Sequence, residues 1–224
     1  MIKKWFITGT DTNVGKTISS MFLLKQAKKN GYIVSACKPI SCGSQNKNGK
    51  LENFDLITLK KYSSIPLSTS DMNSYLFHDY SSPHILSMQQ NNNIQLSTLS
   101  QLIENLSKKS NWILVEGAGG WHTPLSTKIL YSDWVKKENF SIILIVGMKL
   151  GCINHAILTR NAILNSGLLL SGWIANCITP ENKYSKLYLS SLKEYLNVPF
   201  LGKIPNFNNK EEIFNSNINL KIPQ

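Results

Sequence analysis

At 224 residues the chain fits one domain of ordinary size, spanning 1–224, with enough length for a two-sided core. Lysine and arginine number 24 against 13 acidic residues, a formal charge of +11. The basic residues are scattered among asparagines and isoleucines, with no tight basic run interleaved with aromatics. That pattern argues against a nucleic-acid partner and for a solvated basic surface around an anion site. No stretch reaches the roughly 18 apolar residues of a membrane span, and the first five residues carry no apolar signal core, so no membrane partner is expected. Cys37, Cys42, Cys152 and Cys177 lack C-x-x-C spacing, which excludes the usual zinc or disulfide framework and fits a reducing cytoplasm.

Residues 5–8 predict a first strand. The loop Gly9-Thr10-Asp11-Thr12-Asn13-Val14-Gly15-Lys16-Thr17 follows, and a helix is predicted over 17–30. A strand, a glycine-bounded loop and a Gly-Lys-Thr helix start form the layout of a phosphate-binding loop. Successive backbone N–H groups meet an anion there, helped by the positive end of the helix. Lys16 would reach terminal phosphates as a point charge, and the Thr17 hydroxyl would take a Mg²⁺ position. A nucleoside triphosphate is the expected ligand. The loop is unusual, because five residues separate Gly9 from Gly15 and Thr10 stands at the usual first-glycine position.

A second strand is predicted over 33–38, stopped by Pro39. Residues 41–54, rich in Gly, Ser, Asn and Lys, read as a loop, and 55–62 as a short helix. Over 63–95 the pattern is weak, although Ser82-Pro83 suits a helix start and Asn91-Asn92-Asn93 a break. Leu99, Leu102, Ile103 and Leu106 share one face of an amphipathic helix. Strands are predicted over 112–116, 142–146, 169–176 and 200–204, with helices over 153–165 and 184–197. The tail after Asn206 has no assigned structure. Alternation of apolar runs with helical patterns points to an α/β fold, a mostly parallel central sheet with helices on both faces.

Ligands of such sheets sit beyond the carboxyl ends of the strands. Those ends collect the phosphate loop, Lys38, Glu116 with Gly117-Ala118-Gly119-Gly120, Lys149-Leu150-Gly151, and Asn176. Glu116 ends an apolar run, where a carboxylate can hold Mg²⁺ beside Thr17. Asp55 suits either the metal or a helix N-cap. Lys38 is a candidate second cation near the phosphates. His78, His84, His122 and His155 show no ligand spacing and are assigned to no metal.

The same segments, with Lys38-Pro39, Trp121, Cys152-Ile153-Asn154-His155 and Gly172-Trp173-Ile174-Ala175-Asn176, resemble ATP-dependent dethiobiotin synthetase from the first strand to Gly202-Lys203-Ile204-Pro205. The resemblance implies a P-loop NTPase-like fold, a cytoplasmic homodimer, and Mg²⁺ with ATP as co-substrate. It implies ureido ring closure of 7,8-diaminopelargonate with CO₂, in biotin biosynthesis. By resemblance, Lys16 and Lys38 neutralise phosphate and carbamate charge, and Thr17, Asp55 and Glu116 hold Mg²⁺. Asn13, Val14, Gly15, Lys16, Thr17, Ile18, Asp55 and the turn Glu116-Gly117-Ala118-Gly119 surround the phosphates. Asn176, Cys177, Pro205, Asn206 and Phe207 form the adenine pocket. Thr12, Lys38 and Cys42 contact the diamine, whose carboxylate meets Gly151, Cys152, Ile153 and Asn154 of the partner subunit.

Three positions depart from the family pattern. Asn13 stands where well-studied members carry glutamate, Cys42 where a serine is usual, and Cys177 where an aspartate is common. A cobyrinate-type amide ligase would need a glutaminase domain that this length cannot hold. A partitioning-type ATPase switch acting on DNA or membrane would need a second lysine in the loop, and that position is Asp11.

Overall fold

The computed structural model describes residues 2–223. β1 (Lys3–Gly9) runs through the phosphate loop into α1 (Lys16–Lys29), which returns to β2 (Val34–Cys37). A short strand β3 (Ile40–Ser41), a hairpin of β4 (Gln45–Lys47) and β5 (Lys50–Glu52), α2 (Phe54–Tyr62), β6 (Tyr75–Leu76), α3 (Pro83–Gln89) and α4 (Leu96–Ser107) follow. Next come β7 (Trp112–Glu116), α5 (Tyr131–Lys137), β8 (Ser141–Gly147) and α6 (Cys152–Asn165). The chain finishes with β9 (Leu170–Asn176), α7 (Ser185–Leu196), β10 (Phe200–Ile204) and α8 (Lys210–Asn215).

Six of these strands form one sheet in the order β10-β9-β8-β1-β7-β2, every pairing parallel. The reason is legible in their composition. Trp112-Ile113-Leu114-Val115-Glu116 and Ile142-Ile143-Leu144-Ile145-Val146 are buried at every position, as strands covered on both faces must be. Parallel crossovers are right-handed, so the connections running outward from β1 and from β8 lay helices on opposite faces. The chain turns outward in opposite directions from β1 and β8, which makes their carboxyl ends the switch point where such folds open a crevice. Beneath that crevice Phe6 packs against the rings of Tyr131, Trp134 and Phe140, with centroids 5.4–6.4 Å apart.

The six strands of the main sheet and the helices α1, α2, α6 and α7 lie within two residues of their predicted bounds. The segment read as a loop over 41–54 is different, because it holds the β4–β5 hairpin. Asn48 (φ 53°) and Gly49 (φ 79°) form its tip, both left-handed, as a two-residue hairpin turn requires. Its strands expose every residue, so no apolar alternation marked them. α5 was also unpredicted, although Tyr131, Trp134 and Val135 are buried at helical spacing.

The tail is ordered by contacts with α1 and β10. Gln26 Nε2 donates to Asn219 Oδ1 at 2.8 Å, the Lys221 amide donates to the Leu201 carbonyl at 2.7 Å, and Leu220 is buried.

Asn53, not Asp55, caps α2, its Oδ1 accepting from the amides of Asp55 and Leu56 at 3.0 and 3.4 Å. The Asp55 carboxylate is thereby left to face the strand ends. Asn53→Ala is expected to destabilise the protein by about 1–2 kcal/mol in urea denaturation, the usual loss for a helix cap. An unchanged midpoint would show that α2 is fixed by packing alone.

Candidate active site

The phosphate loop closes on α1 with Gly15 at its N-cap in the left-handed conformation (φ 87°). Asn13 is left-handed as well (φ 57°). No side chain caps α1, and its first turn holds no acidic residue, so its leading N–H groups remain available to an anion. Asn176, at the end of β9, supports the loop from behind, its Nδ2 donating to the Val14 carbonyl at 2.8 Å. A Cβ at Gly15 would collide with that same amide, so the close approach as well as the positive φ demands glycine.

Below the loop lies a dense polar cluster. Glu116, fully buried at the end of β7, faces Thr17 of α1, whose Oγ1 lies 2.8 Å from Glu116 Oε1 and 2.7 Å from Asp55 Oδ1. A hydroxyl has one hydrogen, so it can donate to only one of these two carboxylates at a time. Ser20 Oγ stands 3.1 Å from Glu116 Oε2. Lys38, buried at the end of β2, places its ammonium 3.0 Å from Glu116 Oε1 and in contact with Asp55 Oδ2.

Charge balance governs the protonation states. Burial by itself would depress Lys38, but the Glu116 and Asp55 carboxylates outweigh it and hold the ammonium above the ordinary lysine range. Burial would lift Asp55, but the charge and hydrogen bond of Lys38, with Thr17 and Lys16, hold it below the ordinary carboxylate range. Lys16 has no direct carboxylate partner. Its Nζ donates to the carbonyls of Gly119 at 2.6 Å and Asp11 at 3.1 Å. Burial, opposed by Glu116 and reinforced by Lys38, brings its pKa down to about 8.

Thr17, Asp55 and Glu116 offer a hard-oxygen set suited to a divalent cation of the Mg²⁺ type. Among the described residues, no group of three or more His, Cys, Asp and Glu side chains is placed to cage a metal. The carboxylates therefore suit an ion whose shell is completed by phosphate and water, which is how Mg²⁺ binds.

The remaining predicted residues line the same edge of the sheet. Cys177 follows Asn176, and its carbonyl accepts from Asn206 Nδ2 at 3.1 Å, so residues 205–207 after β10 stand beside Asn176. Cys42, Asn13, Asp55, Tyr80 and Lys210 border a cavity of about 400 Å³, and burial pushes the Cys42 thiol up to about 11. Gly151 (φ 90°) opens α6 without a side-chain cap; Asn154 is exposed there, whereas Cys152 is buried in the core. Thr12 is exposed at the loop tip. Ser20 was overlooked in the sequence, although it lies one helical turn beyond Lys16 and Thr17, on the face that meets Glu116. The ion pair of Lys149 with Asp11 was overlooked as well.

The profile described as an AAA domain matches residues 3–212. Over 224 residues the chain is 52% identical to the ATP-dependent dethiobiotin synthetase BioD of Buchnera aphidicola subsp. Acyrthosiphon pisum, covering 100% of both. It is 44% identical to BioD 1 of Escherichia coli over 205 residues, 92% of this chain and 91% of that one. Among solved structures, the septum site-determining protein MinD of Pyrococcus horikoshii, complexed with Mg-ADP, aligns at TM-score 0.59 with 14% identity. That alignment covers 100% of this chain and 87% of MinD. At that identity the likeness shows the fold alone.

With its pKa near 8, Lys16 carries its charge below that pH and sheds it above. Above the probe's own phosphate ionisation, at about pH 6, phosphate affinity should therefore fall between about pH 8 and 10, by up to tenfold per unit. Titration with a fluorescent ADP analogue checks this. A profile flat to pH 9.5 would show that Lys16 keeps its proton in the free protein.

Proposed function

Because the chain belongs to the ATP-dependent dethiobiotin synthetase family, we propose that it closes the ureido ring of dethiobiotin from 7,8-diaminopelargonate, CO₂ and ATP. One amine takes up CO₂ as a carbamate and releases a proton. A carbamate oxygen attacks the terminal phosphorus and ADP leaves, giving a carbamic-phosphoric anhydride. The second amine then attacks the carbamate carbon, phosphate leaves, and the amine's proton goes to the phosphate or to solvent. The observation that carries this reading is the buried Lys38 at the strand ends, beside a phosphate loop that holds Lys16.

No covalent bond to the protein is needed, so catalysis consists of positioning and charge stabilisation. Lys16 leaves the carbonyls of Gly119 and Asp11 to meet the terminal phosphates. Lys38 faces the carbamate and the transferring phosphoryl group, and its raised pKa keeps it a cation throughout the physiological range. Thr17, Asp55 and Glu116 would hold Mg²⁺, which when bound neutralises charge on the phosphate oxygens. Asn176 spends one amide hydrogen on Val14 and retains Oδ1 for the adenine amino group, with Cys177 and residues 205–207 completing that pocket. The diamine would lie against Thr12, Lys38 and Cys42.

We take the active form to be a homodimer. Its support is the start of α6, where Gly151, Ile153 and Asn154 present an uncapped helix end suited to the substrate carboxylate, beside Leu150, which is 85% exposed. We place the enzyme in the cytoplasm; among the described residues no helix is long and apolar enough to cross a membrane. The likeness to MinD concerns the fold only. If the chain were a partitioning-type switch, DNA or lipid vesicles rather than the diamine would stimulate its ATP turnover.

Incubation with diaminopelargonate, bicarbonate and Mg-ATP should yield dethiobiotin by mass, and Lys16→Ala should abolish that product while preserving the melting temperature. Turnover by Lys16→Ala at the wild-type rate would remove the phosphate-loop assignment. Glu116→Gln should raise the Mg²⁺ concentration for half-maximal rate; an unchanged titration would remove Glu116 from the metal site.

Asn13 and Cys42 offer the diamine an amide and a weak thiol, where a carboxylate or hydroxyl would bind its ammonium groups more strongly. Asn13→Glu and Cys42→Ser should therefore lower KM for the diamine and leave KM for ATP little changed. A rise in the diamine KM would mean that the surrounding site has adapted to these residues.

A further inference from the structure

An acidic residue in a loop that must accept a polyanion calls for an explanation. Asp11 lies in the phosphate loop, and its carboxylate is bound at both oxygens: Oδ1 accepts from the Thr12 amide at 2.7 Å, and Oδ2 meets Lys149 Nζ at 2.9 Å. The Asp11 carbonyl is in turn one of the two on which Lys16 rests. Lys149 comes from the turn after β8, the strand adjacent to β1 at the switch point. That turn is itself anchored, since the Met148 amide donates to the Asn176 carbonyl at 2.8 Å and the Cys152 amide to the Lys149 carbonyl at 3.0 Å. The loop is tied to the same strand a second time, the Thr10 amide donating to the Ile145 carbonyl at 3.0 Å.

We propose that Lys149 is a positioning residue for nucleotide binding, acting through Asp11: it cancels a negative charge at the mouth of the phosphate loop and fixes the loop segment that holds Lys16. The pair contributes little to stability, because both side chains are about a third to a half exposed and such pairs are worth about 0–1 kcal/mol. Its effect falls on the incoming phosphates. Without Lys149, the Asp11 carboxylate faces the phosphate anion unneutralised and is free to turn. Without both charges, the repulsion disappears together with its remedy. The two side chains are in direct contact, so the effects of removing them should be strongly non-additive.

The test measures the Kd of a fluorescent Mg-ADP analogue for the full-length protein and for Lys149→Met, Lys149→Arg, Asp11→Asn and the double variant Asp11→Asn/Lys149→Met. Lys149→Met should weaken binding about tenfold, because it leaves an unneutralised carboxylate beside the incoming phosphates. Lys149→Arg should stay within about twofold of wild type, because it keeps the charge at the pair. The double variant should bind more tightly than Lys149→Met alone. Melting temperatures should move by no more than the few degrees that a surface pair is worth.

The proposal is overturned if Lys149→Met leaves Kd within twofold of wild type, or if the double variant is weaker than wild type by the product of the two single effects. It is equally overturned if Lys149→Met raises only the KM for the diamine, which would place Lys149 on the substrate itself. The inference rests on the nucleotide-binding reading of the loop and not on ring closure. Wild-type affinity for the analogue therefore separates failure of that reading from failure of this one.

Discussion

A buried ammonium with two carboxylates around it is the constraint on which the rest of this structure depends. Lys38 ends β2, Glu116 ends β7 and Asp55 lies in the first turn of α2, and the three meet below the phosphate loop. Each alone would be costly to bury as a charge. Together they satisfy one another, whereas losing one member of a buried pair typically costs about 3–5 kcal/mol. The hairpin and the Asn53 cap lie between Lys38 and Asp55 in the chain, and both serve to bring α2 back onto the strand ends.

That cluster suits the Mg²⁺ and phosphate proposed for the site. Thr17 has one hydrogen for two carboxylate oxygens, and Lys38 lies where positive charge is wanted. In our reading Thr17, Asp55 and Glu116 would hold a divalent ion whose charge would balance the carboxylates, and the Lys38 ammonium would then be free to turn toward the reacting groups. Lys16 rests on backbone carbonyls and is not locked into a carboxylate pair. The basic surface and the lack of acidic residues in the first turn of α1 leave the approach favourable to an anion.

Much of this was legible in the sequence, and for physical reasons. Strands buried on both faces must be continuous apolar runs, so residues 112–116 were located to the residue. Polar residues at the ends of such runs have few reasons to be there, which is how Lys38, Glu116 and Asn176 stood out. The hairpin was missed because its composition resembles a loop, even though Asn48-Gly49 is itself a hairpin signal. Residues 205–223 gave no periodic pattern because their order comes from long-range contacts with α1 and β10. The pairing of Asp11 with Lys149 spans 138 positions in the chain and becomes visible only once β1 and β8 are neighbours.

In our reading Thr17, Asp55, Glu116 and Lys38 form one charge-balanced centre for a metal-bound nucleotide. A crystal structure of the protein with Mg-ADP tests it most directly. Mg²⁺ is expected about 2.1 Å from Thr17 Oγ1, with the carboxylates of Asp55 and Glu116 bound to it directly or through water and Lys38 Nζ moved off Asp55. A metal held away from Thr17, with Lys38 still bridging both carboxylates, would contradict it.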